Sequence, residues 1–245
     1  MKNMKNMIFI ILFIPFISFG QSLEWLDYTS NMRDEIIRDI AIDNNENIVQ
    51  IIQRKPFDGT VTYSGPFIIR KLDKNGTEKW SKELAVDRVV SIDIDSKGSI
   101  FILGRFAVTM DADPDPLISD YFYTCSNNNG FNSSLFIVKL DSLGTYETAS
   151  TIGCVCGNTC TSYSDPQQIK IDNNDDVIFY YARQGGAFID IDPSSSIEYA
   201  NDNLIKWTND LSSLIWSTQV TGSFTSGYTT QTVFFDFDIN NNIYI

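Results

Sequence analysis

Carboxylates in two short motifs are the clearest candidates for chemistry in this sequence. Each motif reads Asp-x-Asp-Pro, with Asp111 and Asp113 in the first and Asp190 and Asp192 in the second. Alternating carboxylates, together with nearby backbone carbonyls, are the hard oxygen ligands that Ca²⁺ prefers. The same residues are typical of a turn in which Asp accepts hydrogen bonds from the local backbone. We favour the turn, keep the four aspartates as candidate Ca²⁺ ligands, and expect no other cofactor.

The four cysteines are the second candidate for chemistry. Cys125 stands alone, whereas Cys154, Cys156 and Cys160 follow within one short segment. An even number of cysteines in an exported chain is typical of disulfides, which here would hold two long loops. The pairing stays open, although a direct bridge between Cys154 and Cys156 would be strained. A four-thiolate zinc site is the alternative, but the spacings lack its usual pairs, so we expect disulfides.

Histidine is absent from the whole sequence. Its absence excludes Ser-His-Asp and Cys-His catalytic arrangements and all histidine metal sites. Catalysis would have to use carboxylates, Lys or Tyr, and a pair of carboxylates is the machinery of glycoside hydrolysis. Every aspartate that we can place falls in a turn motif, so we assign no catalytic residue.

The charge of the chain excludes two classes of partner. Lys and Arg number 18 against 31 Asp and Glu, which gives a net charge of −13. Binding to a phosphate backbone or to anionic lipid requires clustered Lys and Arg. We therefore expect neither nucleic acid nor a membrane surface as a partner. Hydrophobic residues at 43% and aromatic residues at 13% exclude a disordered chain.

The N-terminus is typical of a secretory signal. A basic start precedes an apolar run from Met7 to Phe19, and the small residues Ser18 and Gly20 flank its end before Gln21. The run is shorter than the roughly 20 apolar residues that a membrane-spanning helix needs. We predict a signal peptide over residues 1–20, an extracellular or cell-surface location, and no membrane insertion after the signal is removed.

The elements that must position these residues repeat along the chain. An apolar residue and Asp are followed by four turn residues and the start of an apolar strand. Asn, Asp and Gly suit such a turn because they tolerate left-handed conformations and bond the local backbone. Each copy therefore predicts two strands joined by a hairpin turn. The four copies are Ile42–Ile48, Ile94–Ile100, Ile171–Val177 and Phe237–Ile243.

A second strand-and-turn motif follows the first three copies, at Phe67–Gly76, Phe136–Gly144 and, more weakly, Leu204–Asn209. Trp80 stands seven residues after Asp73 and Trp216 stands seven after Asn209, whereas Thr148 takes the equivalent place after Asp141. These tryptophans predict the outermost strand of a four-stranded unit. The segment Leu23–Tyr28 is a lone copy of that outer strand.

Together the motifs predict an all-β fold, specifically an incomplete β-propeller. It would hold about three full four-stranded blades, half a blade and a lone closing strand. A β-sandwich with irregular hairpins is the alternative, and we expect almost no helix. Since the last repeat stops after two strands, we interpret the sequence as a fragment that continues into further repeats. The predicted domain is 21–245, with repeats at about 36–86, 88–155, 165–223 and 232–245.

Several stretches of the repeats are similar to a known pattern. Gly98–Phe106 contains a turn, an apolar strand and the sequence Gly-x-Phe, and Asn242–Ile245 repeats the start of that strand. The two Asp-x-Asp-Pro motifs, which we call Asp boxes, stand at Asp111–Pro114 and Asp190–Pro193. These stretches resemble the SBBP-type β-propeller repeats of exported bacterial proteins. The first repeat departs from the pattern, with only Phe57–Gly59 where the box should be. The resemblance covers most of the predicted domain and implies a surface or secreted protein, without implying a ligand.

We interpret the chain as a secreted or cell-surface module that acts in binding or scaffolding. Its partner would be an unknown protein or glycan. Long loops on a rigid framework often carry function, so residues 107–134 and 153–165 are the predicted place of specificity. Two alternatives remain open: a secreted carbohydrate-active hydrolase or lyase that uses carboxylates, and a purely structural spacer of a larger adhesin.

Overall fold

The described part of the chain is built from strands. The computed structural model describes residues 35–54, 66–124, 133–153, 163–184, 189–194, 198–200, 203–220 and 234–245. Within these ranges it contains eighteen strands and no helix. Accordingly, the described ranges hold no helix that is long and apolar enough to cross a membrane. The all-β prediction is confirmed for this part of the chain.

Three four-stranded antiparallel sheets share one plan, in which the strands of each sheet follow one another in chain order. The first sheet consists of β1 (Glu35–Ile42), β2 (Ile48–Arg54), β3 (Phe67–Leu72) and β4 (Glu78–Leu84). In the second sheet, β5 (Arg88–Ile94) and β6 (Ile100–Ala107) come before a hairpin of β7 (Thr109–Asp111) and β8 (Tyr121–Tyr123), and β9 (Ser133–Leu140) and β10 (Tyr146–Ile152) complete the sheet.

The third sheet repeats the plan of the second. Its strands β11 (Tyr163–Ile171) and β12 (Val177–Gln184) are followed by a hairpin of β13 (Ile189–Asp190) and β14 (Tyr199–Ala200), and then by β15 (Leu204–Trp207) and β16 (Leu214–Thr218). A last antiparallel pair, β17 (Asp236–Phe237) and β18 (Ile243–Tyr244), is joined by the same kind of turn. The predicted four-stranded units are therefore present.

The aspartate of each first motif opens the turn between the first two strands of a sheet. Asp43 Oδ1 accepts the backbone N–H groups of Asn45 and Asn47, both at 2.9 Å. Asp95, Asp172 and Asp238 bond the residues two and four positions later in the same way. Because one carboxylate satisfies two backbone donors, these turns are short and closed, as the sequence predicts.

The second turn of the third sheet differs from the sequence prediction. Thr208, and not Asn209, opens this turn, since Thr208 N donates to Ser213 O. The predicted alignment was wrong by one position because this turn holds one residue more than its counterparts. Trp80 and Trp216 are nevertheless equivalent, since each pairs with the lysine just before the last residue of the third strand.

The sheets pack face to face in chain order. Successive residues of a strand point to opposite faces, so each sheet has a leading face toward the preceding sheet and a trailing face toward the next one. Three apolar clusters fill the spaces between the sheets. The trailing face of the first sheet packs on the leading face of the second through residues such as Ile51, Ile69, Ile102 and Val138. Phe101, Ile137, Phe179 and Trp207 join the second sheet to the third, and Ile178, Leu204, Phe235 and Phe237 join the third to the last pair.

A side chain at one repeat position also links each sheet to the next. This position lies four residues before the aspartate of the first turn, directly after a β-bulge in the first strand. In each case the side chain accepts a hydrogen bond from a backbone N–H of the following sheet. The bonds run from Ile92 N to Asp39 Oδ2 at 2.9 Å, from Ile169 N to Ser91 Oγ at 3.4 Å, and from Phe235 N to Gln168 Oε1 at 2.8 Å.

Candidate functional site

The two ends of the sheets differ in the connections that they carry. In an antiparallel sheet of this plan, the turn between the first and second strands and the turn between the third and fourth strands lie at one end, which we call the turn end. The connection between the second and third strands, and the link from one sheet to the next, lie at the other end, which we call the loop end. Both segments predicted to carry specificity, 107–134 and 153–165, leave from the loop end. Their described parts are 107–124, 133–134, 153 and 163–165.

The first Asp box lies in the β7–β8 hairpin, where its carboxylates bind the backbone. Asp111 Oδ1 accepts the N–H groups of Asp113 at 3.2 Å and Asp120 at 2.9 Å. Asp113 Oδ1 accepts the N–H of Asp115 at 2.9 Å. The residue between the two aspartates, Ala112, is buried with Met110 in the cluster between the first and second sheets. The alternation therefore directs apolar side chains into the core and the carboxylates to the turn.

The second Asp box has the same arrangement in the β13–β14 hairpin. Asp190 Oδ1 accepts the N–H groups of Asp192 at 3.2 Å and Glu198 at 3.1 Å, and Asp192 Oδ1 accepts that of Ser194 at 2.9 Å. Ile191 between them is fully buried, and its carbonyl accepts the indole N–H of Trp207 at 2.9 Å. The box thus anchors a hairpin on the third sheet.

A cation site at the boxes would need several carboxylates to converge. The structure keeps Asp111 and Asp113 in one hairpin and Asp190 and Asp192 in another, and the two hairpins pack into different apolar clusters. In the part of the chain that the structure describes, no three acidic, His or Cys side chains are grouped to hold a metal ion. The hydrogen bonds support the turn interpretation, and Ca²⁺ binding stays a prediction.

Tyr146 ties the first hairpin to the second sheet. Its hydroxyl donates to Asp120 Oδ2 at 2.5 Å. Burial raises the pKa of Tyr146 above its ordinary value, and the hydrogen bond to Asp120 and the negative charges of the hairpin raise it further. The phenol therefore stays protonated near neutral pH and acts as a structural donor. It does not supply the phenolate that a tyrosine nucleophile or base would need.

Two arginines at the loop end are candidate contact residues that the sequence did not reveal. Arg88 begins β5, and Arg105 lies directly opposite it on β6. Arg88 Nη1 donates to Asp165 Oδ1 of the third sheet at 2.6 Å, and the other oxygen of Asp165 accepts the side-chain amide of Gln167 at 3.1 Å. Burial lowers the pKa of Arg105, against the opposing effect of Asp165.

Like charges directly opposite on neighbouring strands repel each other. Asp165 offsets this repulsion, since it pairs directly with Arg88 and its charge opposes the lowering of the pKa of Arg105. Arg88 belongs to no motif and Arg105 is the variable residue of Gly-x-Phe, so only the strand register shows that the two lie opposite each other.

Three lysines at one repeat position, of which Lys71 and Lys206 are buried and Lys139 is half-buried, were also missed. Each stands two positions before the residue that opens the second turn, and this recurrence was the available signal. Lys71 Nζ lies 2.9 Å from Asp43 Oδ2, and each side chain is only 3% exposed. Lys206 Nζ lies 2.7 Å from Asp172 and 2.9 Å from Asp176. These ion pairs connect the third strand of a sheet to its first turn.

In the second sheet, Lys139 is connected to Asp95 through the side chain of Asn209. Lys139 Nζ donates to Asn209 Oδ1 at 2.9 Å, and Asn209 Nδ2 donates to Asp95 Oδ2 at 3.2 Å. Asn209 belongs to the third sheet, so this connection also joins two sheets. The three lysines therefore stabilise the framework and are not free for catalysis.

Several predicted features lie outside the described residues. They are the signal peptide over 1–20, the outer strand at Leu23–Tyr28, and the disulfide candidates Cys125, Cys154, Cys156 and Cys160. These features stay predictions.

Comparison with known proteins adds no family to this picture. No protein-family model matches the chain, and no curated protein is significantly similar to it. The resemblance to SBBP-type repeats therefore rests on its motifs and stays a prediction.

Proposed function

We propose that the three sheets are blades of a β-propeller and that the chain is an extracellular or cell-surface binding or scaffolding module. The face-to-face packing supports the propeller, because the second sheet is covered on both faces. A two-sheet sandwich covers only one face of each sheet. The first strands β1, β5 and β11 also lie next to one another, as inner strands around a central axis would.

The contrast between the two ends of the sheets carries the binding proposal. At the turn end, adjacent sheets are bonded through their first turns. Asn44 Nδ2 donates to Ser96 O at 3.2 Å, and Ser96 Oγ donates to Asp175 Oδ2 at 2.6 Å. The loop end instead carries the long connections together with Arg88 and Arg105. Loops of variable length on a rigid framework are a common arrangement for binding.

The class of partner follows from charge and exclusion. A net charge of −13 disfavours nucleic acid and anionic membranes, and the partner that we propose is a protein or a glycan. Within the described residues, the aspartates of the turns and boxes are engaged with backbone N–H groups, so no observation there favours the hydrolase alternative.

Binding to arrays of glycans and immobilised extracellular proteins tests this proposal. The loop variant replaces residues 124–132 with a short Gly-Ser linker. The control is Lys74→Ser at the turn end, where the lysine side chain is 64% exposed. We expect the native chain and the control to bind the same partner and the loop variant to lose at least tenfold in affinity. Equal binding by all three proteins, or no binding by any of them, contradicts the proposal.

A further inference from the structure

The leading face of the first sheet differs in exposure from the equivalent faces of the other sheets. Ile40 on this face is 54% exposed, whereas its counterparts Ile92 and Ile169 are 4% and 0% exposed beneath the preceding sheet. An exposed isoleucine at a position that is buried in each of the other two sheets indicates that this face also receives a cover.

The outer half of this face forms a groove of ≈ 300 Å³ with mixed chemistry. Its floor contains Ile52 and Ile68, and the charged residues around them balance, with Arg54, Arg70 and Lys82 against Glu35, Glu78 and Glu83. At the places of Arg54 and Arg70, counted from the turn aspartates, the second sheet has Phe106 and Val138. Arg54 is paired with Glu35 at 3.2 Å, so the groove on the first sheet is more polar than its counterpart without an excess of either charge.

Part of the cover of the second sheet comes from β4, the outer strand of the first. The indole N–H of Trp80 donates to Ser142 O at 3.3 Å. Its ring lies 3.1 Å from where a Cβ on Gly144 would be. Gly144 has φ +81°, and its counterpart Gly76 in the first sheet has φ +82°. The first sheet therefore has, at Gly76, a glycine of the same conformation on which a tryptophan ring of its own cover could pack.

We propose that the segment Leu23–Tyr28 of this chain is that cover, lying as an outer strand over the groove with the Trp25 ring against Gly76. Trp25 precedes the first residue of β1 by ten positions, close to the eight between Trp80 and β5. Ten extended residues span about 33 Å. Four paired strands are only about 15 Å across, so the segment reaches the groove.

Hydrogen exchange in the full chain tests this docking. Trp25→Ala is expected to accelerate amide exchange of residues 73–77 at least tenfold and to leave residues 141–145 unchanged. The matched control, Trp80→Ala, removes a contact seen in the structure and is expected to have the reverse effect. Unchanged exchange over 73–77 in Trp25→Ala overturns the proposal.

A second measurement needs no substitution, so it holds even if a variant fails to fold. In hydroxyl-radical footprinting of the native chain, docked Trp25 is oxidised about as slowly as Trp80 and several-fold more slowly than in urea. Oxidation of Trp25 at the rate of the unfolded chain contradicts the docking.

Discussion

At the scale of the residue, the aspartate of the first turn has two tasks that its two oxygens divide. In the first sheet Asp43 Oδ1 holds the turn backbone while Oδ2 pairs with Lys71. The third sheet repeats this division with Asp172 and Lys206. In the last pair of strands, Asp238 Oδ2 accepts bonds from Asn242 and Tyr244. Turn chemistry explains why Asp recurs, and the buried lysine explains why its second oxygen also matters.

Loss of Lys71 is expected to destabilise the protein strongly. Lys71→Met leaves Asp43 buried without its cation, which costs about 3–5 kcal/mol in comparable buried pairs. Lys74→Met is the control, because Lys74 and Glu46 lie 3.7 Å apart with side chains 64% and 75% exposed. Such an exposed pair contributes no more than about 1 kcal/mol. Urea unfolding measures both, and equal losses of stability contradict the importance of burial.

The same pair predicts a dependence of stability on acid pH. Burial alone would raise the pKa of Asp43, but hydrogen bonds from Asn47 and Lys71 lower it to about 2 from the ordinary value of 3.8. A carboxyl whose pKa is lower in the folded state stabilises the fold above its unfolded pKa. This contribution is lost as the pH falls from about 4 to about 2.

Urea midpoints of the native chain and Asp43→Asn between pH 7 and pH 2 measure this effect. The native chain is expected to be more stable at pH 7, and the difference is expected to shrink below pH 4. A difference that stays constant down to pH 2 contradicts the assignment.

At the scale of the element, strands and turns are predictable where a motif recurs and are missed where it does not. The first-turn motif identifies all four first turns, because one Asp side chain closes each turn locally. In the region of the hairpins β7–β8 and β13–β14, the sequence predicts only Asp-x-Asp-Pro motifs within loops. Their strands have two or three residues each, too few for the alternation of Met110 and Ala112 to stand out.

Gly104 in β6 shows a packing requirement that only the structure explains. A Cβ at this position would lie 2.3 Å from Arg88 O and 2.4 Å from the ring of Phe136. Gly104 and Phe136 are paired across β6 and β9, so the ring occupies the space that a side chain at 104 would need. Ile52 takes the same position in the first sheet, where its partner is Ile68.

Gly104→Ala is therefore expected to lower the free energy of unfolding by about 1–3 kcal/mol, the usual cost of overpacking. Phe136→Leu, introduced together with Gly104→Ala, removes the aromatic ring from this contact. The double variant should then be more stable than the sum of the two single effects implies. Urea unfolding of the three variants gives the coupling, and strict additivity contradicts the proposed contact.

At the scale of the whole molecule, each sheet is stabilised by its neighbours in the chain. The second sheet is buried on both faces, and the link four residues before each first turn joins every pair of adjacent units. The sequence could predict the number of units from its motifs. It could not predict the links, since Asp39, Ser91 and Gln168 are three different residue types that share only their position and the ability to accept a hydrogen bond.

Amide exchange measured by NMR in Asp39→Ala, Ser91→Ala and Gln168→Ala tests the packing of consecutive sheets most directly. Each substitution removes the acceptor of one link, although Asp39→Ala also removes the acceptor of the Ser91 hydroxyl, which lies 2.9 Å from Asp39 Oδ2. We expect at least tenfold faster exchange at one amide of the following unit: Ile92, Ile169 and Phe235, respectively. Unchanged exchange at Ile92 in Asp39→Ala, with the fold intact, would mean that the first and second sheets do not meet in this way and would contradict the propeller arrangement.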